Sequence, residues 1–192
     1  AMLKRQTARL DERDWLAHFA SELEFFVFDD SFGKAHRAGY RALQTASAYN
    51  EDYHIFQTTK EEPLMRAIRN GLHEAGIPVE NSKGEACAGQ EEINVRYCEA
   101  LQMADRHAIL KNGIKEMAFL QDRAVTFMAK WHDDHAGSSA HSHQSLVLGH
   151  SGESLFADSR DTDGMSSLMR HYLAGLVTHS AELTLFLAPH IN

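Results

Sequence analysis

Hydrophobic and polar positions divide the chain into segments of two different periods. From residue 3 to 20, Leu3, Ala8, Leu10, Trp15, Leu16 and Phe19 recur among many charges, a pattern that predicts an amphipathic helix. Residues 22–29, Glu-Leu-Glu-Phe-Phe-Val-Phe-Asp, are short and rich in β-forming side chains, and predict a strand. Residues 30–58 carry Gly, Ser, Asn and Tyr without sustained periodicity, which predicts a long loop with one short helix near 35–43. A helix over 61–75 is better marked. Thr58 or Thr59 can cap it, Pro63 falls in its first turn, and Gly76 followed by Pro78 ends it.

Strands are expected next at 77–85 and 90–97, joined by Ala-Cys-Ala-Gly, and then a long helix over about 99–121. Two more strands, 124–130 and 140–148, flank a polar turn, and an apolar helix over about 164–187 is expected to be largely buried. Hairpin-like strand pairs among helices indicate an α+β fold: an antiparallel sheet with flanking helices. With 192 residues and no internal repeat, the expectation is one compact unit.

Composition narrows the function classes. Acidic residues outnumber Lys and Arg by 27 to 19, so no concentrated basic face is available for nucleic acid. No apolar run is long enough to cross a bilayer, so no membrane partner is expected. Cys87 and Cys98 are the two cysteines and do not form a C-x-x-C pair. That argues against a disulfide framework or thiolate zinc site and for a reducing, cytoplasmic setting.

The question is where the carboxylates gather. Successive side chains of a strand point to opposite faces, so Glu22, Glu24, Phe26 and Phe28 share one face while Leu23, Phe25 and Val27 share the other. Two carboxylates beside apolar neighbours are costly unless that strand end is wet. Farther on, Glu85 ends one strand, and beyond Gly89 the next strand puts Ile93, Val95 and Tyr97 on one face and Glu92, Asn94 and Arg96 on the other. A half-exposed hairpin has the same pattern. The last strand places His141, His143 and Ser145 together. Lone histidine pairs are more often structural than metal-binding. Taken together, several carboxylates and an imidazole on polar strand faces suit hard divalent cations better than zinc.

Five segments carry a family resemblance. They are Ser-Glu-Leu-Glu-Phe-Phe at 21–26, Glu-Ala-Cys-Ala-Gly-Gln-Glu-Glu-Ile at 85–93, Thr-Phe-Met-Ala-Lys at 126–130, Gly-Ser-Ser-Ala-His-Ser-His-Gln-Ser-Leu at 137–146 and Leu-Ala-Pro-His-Ile-Asn at 187–192. In this order and spacing they resemble the catalytic domain of glutamine synthetase, across nearly the whole chain. The resemblance implies one metal site formed by Glu24, Glu85 and Glu92. It implies a second metal site from Glu22 and His141, completed by a glutamate near the family's C-terminal end. It also implies a nucleotide pocket lined by Glu80, Tyr97, His143 and Ser145, with Gly137 in the loop that holds glutamate. The implied cofactors are ATP and Mg²⁺ or Mn²⁺. The implied reaction joins glutamate to ammonia or a primary amine through γ-glutamyl phosphate, with the cations neutralising the transferred phosphoryl group.

Two departures bear on the acceptor. The family's Asn-Gly before the histidines is Ala136-Gly137 here, and its Lys-Pro after the preceding strand is Lys130-Trp131. Both resemble the divergent branch that makes γ-glutamylpolyamines or γ-glutamylethanolamide. Losing one polar contact costs on the order of 1 to 3 kcal/mol when its partner stays buried. The family also has an N-terminal β-domain and a C-terminal continuation that this sequence does not match. The whole of 1–192 is therefore expected to be a partial catalytic domain, inactive alone, from a parent that forms homo-oligomers. A non-catalytic metal- and nucleotide-binding fragment is the alternative. A zinc hydrolase using His143 is a more distant one.

Overall fold

The structure is a computed structural model that describes residues 2–188. It contains helix α1 (Met2–Asp11), strand β1 (Trp15–Phe28), α2 (Phe32–Arg37), α3 (Ile55–Glu74), β2 (Val79–Gly84), β3 (Gln90–Glu99), α4 (Ala100–Leu120), β4 (Ala124–Thr126), β5 (Ala140–Leu148), α5 (Ser167–Thr178) and α6 (Ser180–Leu187). Strand order is β2-β3-β1-β4, with β5 also pairing β1. The pairs β1–β4 and β2–β3 are antiparallel, and the latter aligns Lys83 with Glu92 and Gly84 with Glu91. The α+β reading with an antiparallel sheet and flanking helices holds.

The chain divides into two compact units. One unit comprises Ala20–Cys98 and Gln102–His143; the other comprises Ala1–Phe19, Glu99–Leu101 and Gln144–Asn192.

In the first unit, the two faces of β1 meet different surroundings. The face bearing Ser21, Leu23, Phe25 and Val27 is buried, and Ser21 Oγ lies 2.8 Å from His107 Nδ1 of α4. Leu64, Met65, Ile68 and Leu72 of α3 and Leu110, Ile114 and Ala118 of α4 are buried with Ile93 and Val95 in this unit's apolar interior. Helices α3 and α4 approach closely where Gly71 meets the methyl of Met117, 2.9 Å from where a Cβ would stand. Burial of such side chains contributes about 1.5–3 kcal/mol each. On the opposite face, Phe26 and Phe28 pack with Ala124, Phe32, Leu43, Cys87 and Trp131. Glu22 and Glu24 belong to that face.

Several boundaries differ from the sequence reading. The helix expected over 3–20 stops at Asp11. A turn through Asp14, whose φ is 56°, reverses the chain, and β1 begins at Trp15. Trp15, Leu16 and Phe19 fit either period, and pairing of the extended chain decides: Gly149 N donates to Asp14 O at 2.7 Å. Helix α2 starts at Phe32 because the Ser31 hydroxyl accepts from Lys34 N, and it ends before Gly39, with φ 61°. Helix α3 starts at Ile55, so Pro63 lies in its interior, and the hydroxyls of Thr58 and Thr59 donate to Ile55 O instead of capping. Gly76, with φ 76°, closes it as expected. Strand β4 ends at Thr126, not 130, as Met128 N turns back onto the Thr126 hydroxyl.

In the second unit, the apolar helix expected over 164–187 is two helices, broken at His179. Neither contains a buried residue, and Phe186 is 73% exposed. Apolar composition marks what a helix can bury, but nothing among the described residues covers α6. Residues 189–192, most of the motif at 187–192, lie outside the described residues.

Candidate functional site

Glu24 on β1, Glu85 just past the end of β2 and Glu92 on β3 offer carboxyl oxygens that all lie within 4.8 Å of one another. Three separate backbone devices produce this. Residues 22 and 24 share the face of β1 away from α4, and alternation from buried Ile93 and Val95 puts Glu92 on the corresponding face of β3. Between them the 85–90 turn is closed by Glu85 N donating to Gln90 O at 2.8 Å and Gln90 N donating to Cys87 O at 3.1 Å. Gly89 completes the turn with φ 73°, and a Cβ there would stand 2.8 Å from Val27 O.

Neutral donors orient the carboxyl groups. Ser139 N donates to Glu24 Oε2 at 3.0 Å, and the Gln90 side-chain amide donates to the same oxygen at 3.0 Å. That amide also donates to Gly137 O at 2.9 Å, tying the 137–139 loop to the cluster. Asn94 Nδ2 donates to Glu92 Oε1 at 2.6 Å. Lys83 pairs with Glu85 and, at 3.5 Å, with Asp52. Burial pulls the Lys83 ammonium down, but the hydrogen bond to Glu85 and the charges of Glu92, Glu85 and Asp52 hold it above its ordinary value. Glu92 is pushed up to about 7, first by burial; the Asn94 donor lowers it, while neighbouring Glu85 and Glu22 raise it. Crowded carboxylates of this kind are what a hard cation relieves, and an all-oxygen donor set matches Mg²⁺ or Mn²⁺.

Glu22 sits beside this cluster and is shared by two imidazoles. Its Oε1 lies 2.8 Å from His141 Nδ1 and its Oε2 2.9 Å from His143 Nε2. Burial raises its carboxyl, but the hydrogen bonds with His143 and His141 outweigh that and bring it below its ordinary value. The structure thus joins Glu22 with His141, as the sequence suggested, and adds His143 to the same carboxylate. Glu80 and Tyr97 are exposed on the β2–β3 hairpin, at the end remote from the 85–90 turn. Ser145 lines a cavity of about 460 Å³ in the other unit, with Leu10, Trp15, Phe156 and Tyr172 in its wall. Gly137 contributes its carbonyl, not a side chain.

Sequence reading missed a buried carboxyl group of residues on the helix side of the hairpin. Glu51, Glu61 and Glu91 are 0%, 6% and 1% exposed. Glu91 is pushed up to about 10, by burial first and then by the charge of and hydrogen bond to Glu51; Glu61 is pushed up to about 7 by burial and by Glu51. At neutral pH Glu91 is therefore protonated and donates to Glu51. The signal was present: by the alternation that puts Glu92 with Asn94, Glu91 falls with Ile93 and Val95. The pairing of Cys87 with His135 also went unremarked; Sγ and Nδ1 lie 3.1 Å apart, and the Trp131 ring centroid is 4.8 Å from that of His135.

An antiparallel sheet with a carboxylate cluster on one face and helices on the other is an arrangement with the donor set for a divalent cation. Residues 1–192 match the family described as glutamine synthetase, catalytic domain, and the chain belongs to that family. Gamma-glutamylethanolamide synthetase GlnA4 of Streptomyces coelicolor is 44% identical over 191 residues, covering 100% of this chain and 40% of the relative. The glutamate–isopropylamine ligase of a Pseudomonas species is 30% identical over 191 residues, 100% of this chain and 41% of its own. The solved GmaS/ADP complex superposes with a TM-score of 0.86 at 26% identity, covering 98% of this chain and 42% of that one. The chain thus spans about two fifths of the length of these relatives.

Proposed function

We propose that this chain forms the metal- and nucleotide-binding part of an ATP-dependent ligase that joins the γ-carboxyl group of glutamate to ammonia or a primary amine. The convergence of Glu24, Glu85 and Glu92 carries the reading. When bound, a divalent cation there would neutralise charge on the phosphoryl group passing from ATP to the γ-carboxylate. The amine then attacks the carbonyl carbon of the acyl phosphate, and inorganic phosphate leaves with the C–O bonding pair. Glu24, Glu85 and Glu92 would hold one cation, held in place by Gln90, Ser139 and Asn94. Glu22 and His141 would contribute to a second, with Glu80, Tyr97, His143 and Ser145 assigned to nucleotide and Gly137 to the glutamate loop. Such an enzyme works in a reducing cytoplasm, in keeping with Cys87 and Cys98 not being joined in a disulfide. Among the described residues no helix is long and apolar enough to cross a membrane.

For the acceptor, Ala136 and Trp131 together with the 44% identity to an ethanolamide synthetase favour an alkylamine or ethanolamine over ammonia. The test is phosphate release from ATP by the protein that carries this sequence, with glutamate and each of ammonia, putrescine and ethanolamine. Release that requires both glutamate and an amine supports the ligase. Absence of release with every amine removes it.

A further inference from the structure

The 85–90 turn has to be held at both ends if Glu85 and Glu92 are to keep their separation, and one buried side chain touches it from behind. Glu51, fully buried, lies in the segment that packs under the hairpin. Its Oε1 accepts from Gly89 N at 2.8 Å and also from the Ser47 hydroxyl, which in turn accepts from Gly89 N at 2.9 Å. Its main-chain N donates to Glu85 O at 3.2 Å. One residue therefore grips the turn at residue 85 through its backbone and at residue 89 through its side chain. The fit leaves no slack: a Cβ on Gly84 would stand 2.5 Å from Glu51 Cβ and 2.6 Å from its carbonyl oxygen. Asp52 bridges to Gly84 in parallel register, extending the same contact. Between the two grips, Ala86 N donates to Glu85 Oε2 at 3.2 Å.

We propose that Glu51 is a positioning residue for the cation site: its carboxyl group clamps the Glu85–Gln90 turn and thereby sets the distance between Glu85 and Glu92. The proposal rests on the reading of that cluster as a cation site. Glu51 touches no reacting group, so its effect reaches the cation only through the turn. Groups that orient ligands in this indirect way commonly change metal affinity ten- to a hundredfold when removed.

The test is Mn²⁺ titration of the full chain, followed by the electron paramagnetic resonance of free Mn²⁺, with circular dichroism confirming folded protein in every sample. Glu51→Gln keeps an oxygen acceptor for Gly89 N and Ser47 and is expected to bind within about twofold of the unsubstituted chain, whereas Glu51→Ala loses about tenfold or more. If Glu51→Ala does not fold, Ser47→Ala carries the test, since it cuts the second link to Gly89 in a milder way; a severalfold loss is expected. Folded variants that bind Mn²⁺ as tightly as the unsubstituted chain overturn the positioning role and leave the cation site standing. An unsubstituted chain that takes up no Mn²⁺ removes the site itself, and the clamp's role with it.

Discussion

The side-chain amide of Gln90 donates to Glu24 Oε2 at 3.0 Å, linking β3 to β1 at the centre of the carboxylate cluster. The same nitrogen reaches Gly137 O, so one neutral side chain aligns two strands and the loop that follows β4. Gln90 is 1% exposed. A neutral donor at this point orients a carboxyl group without competing for it as a cation's charge would.

On the proposed reading Glu24 serves a cation more than the core, and its substitution should separate the two. Glu24→Gln keeps the volume and one oxygen acceptor while removing a negative charge from a crowded group. Mn²⁺ affinity is expected to fall at least about tenfold. In metal-free buffer the melting temperature should stay the same or rise, because one of three mutually repelling carboxylates is gone. Calorimetric titration and a thermal melt with chelator present check both halves. A melting temperature that collapses with unchanged Mn²⁺ affinity contradicts the assignment.

Leu23, the adjacent residue, should behave in the opposite way. It points to the helix-covered face and is 3% exposed. Leu23→Ala is expected to cost about 2–5 kcal/mol of unfolding free energy. Below its melting temperature, the folded variant should bind Mn²⁺ as the unsubstituted chain does. Denaturant unfolding monitored by fluorescence gives the first number and titration the second.

Strand alternation made much of this legible before any coordinates. It put Glu22 and Glu24 on one face of β1 and Glu92 on the polar face of β3; the trio Glu24, Glu85 and Glu92 was what the family resemblance implied, and the structure brings these three together. What alternation did not reveal came from residues whose neighbours are distant in sequence. Alternation places Glu91 with Ile93 and Val95 on the interior face, but not the carboxyl groups it meets there, Glu51 and Glu61, contributed by segments 30–40 residues earlier. Trp15–Phe19 satisfies helical and extended periods alike, and only its pairing partner resolves the two. The burial of α5 and α6 was misjudged because apolar content says nothing of whether a covering surface is at hand.

The Glu51–Glu61–Glu91 group gives the apo chain an unusual dependence on pH. Glu91 has a folded value of about 10 against an ordinary 4.5, so between those values the folded chain holds a proton the unfolded chain has lost. Stability from this group is full below about pH 4.5 and declines as pH rises toward 10. Glu61, at about 7, adds a decline confined to the window from 4.5 to 7. With chelator present, the urea midpoint is expected to fall from pH 5 to pH 9. Glu91→Gln, which stays neutral and can still donate to Glu51, should flatten that fall. It should exceed the unsubstituted chain at pH 9 and converge with it near pH 5. A midpoint that rises with pH, or an identical slope in the variant, contradicts the buried protonated carboxyl.

Gly89 tests how tightly the turn is bound to its surroundings. Its φ of 73° disfavours any side chain, and a Cβ would meet Val27 O at 2.8 Å and Thr45 Cβ at 2.9 Å. Val27 cannot withdraw, since Val27 N donates to Gly89 O and Val27 O accepts from Ala46 N. Gly89→Ala is therefore expected to cost about 1–3 kcal/mol from backbone strain, with more if the contact is not relieved. The readout that matters is the coupling between fold and site. Relief can come only by moving the turn, which shifts Glu85 relative to Glu92, so Mn²⁺ affinity should fall along with the urea midpoint. Gly152, also at positive φ (71°) but with nothing within 4 Å of its Cβ position, is the control. Gly152→Ala should carry strain of similar kind while leaving Mn²⁺ affinity unchanged. Equal Mn²⁺ affinity in both variants would mean that the turn does not set the geometry of the cluster.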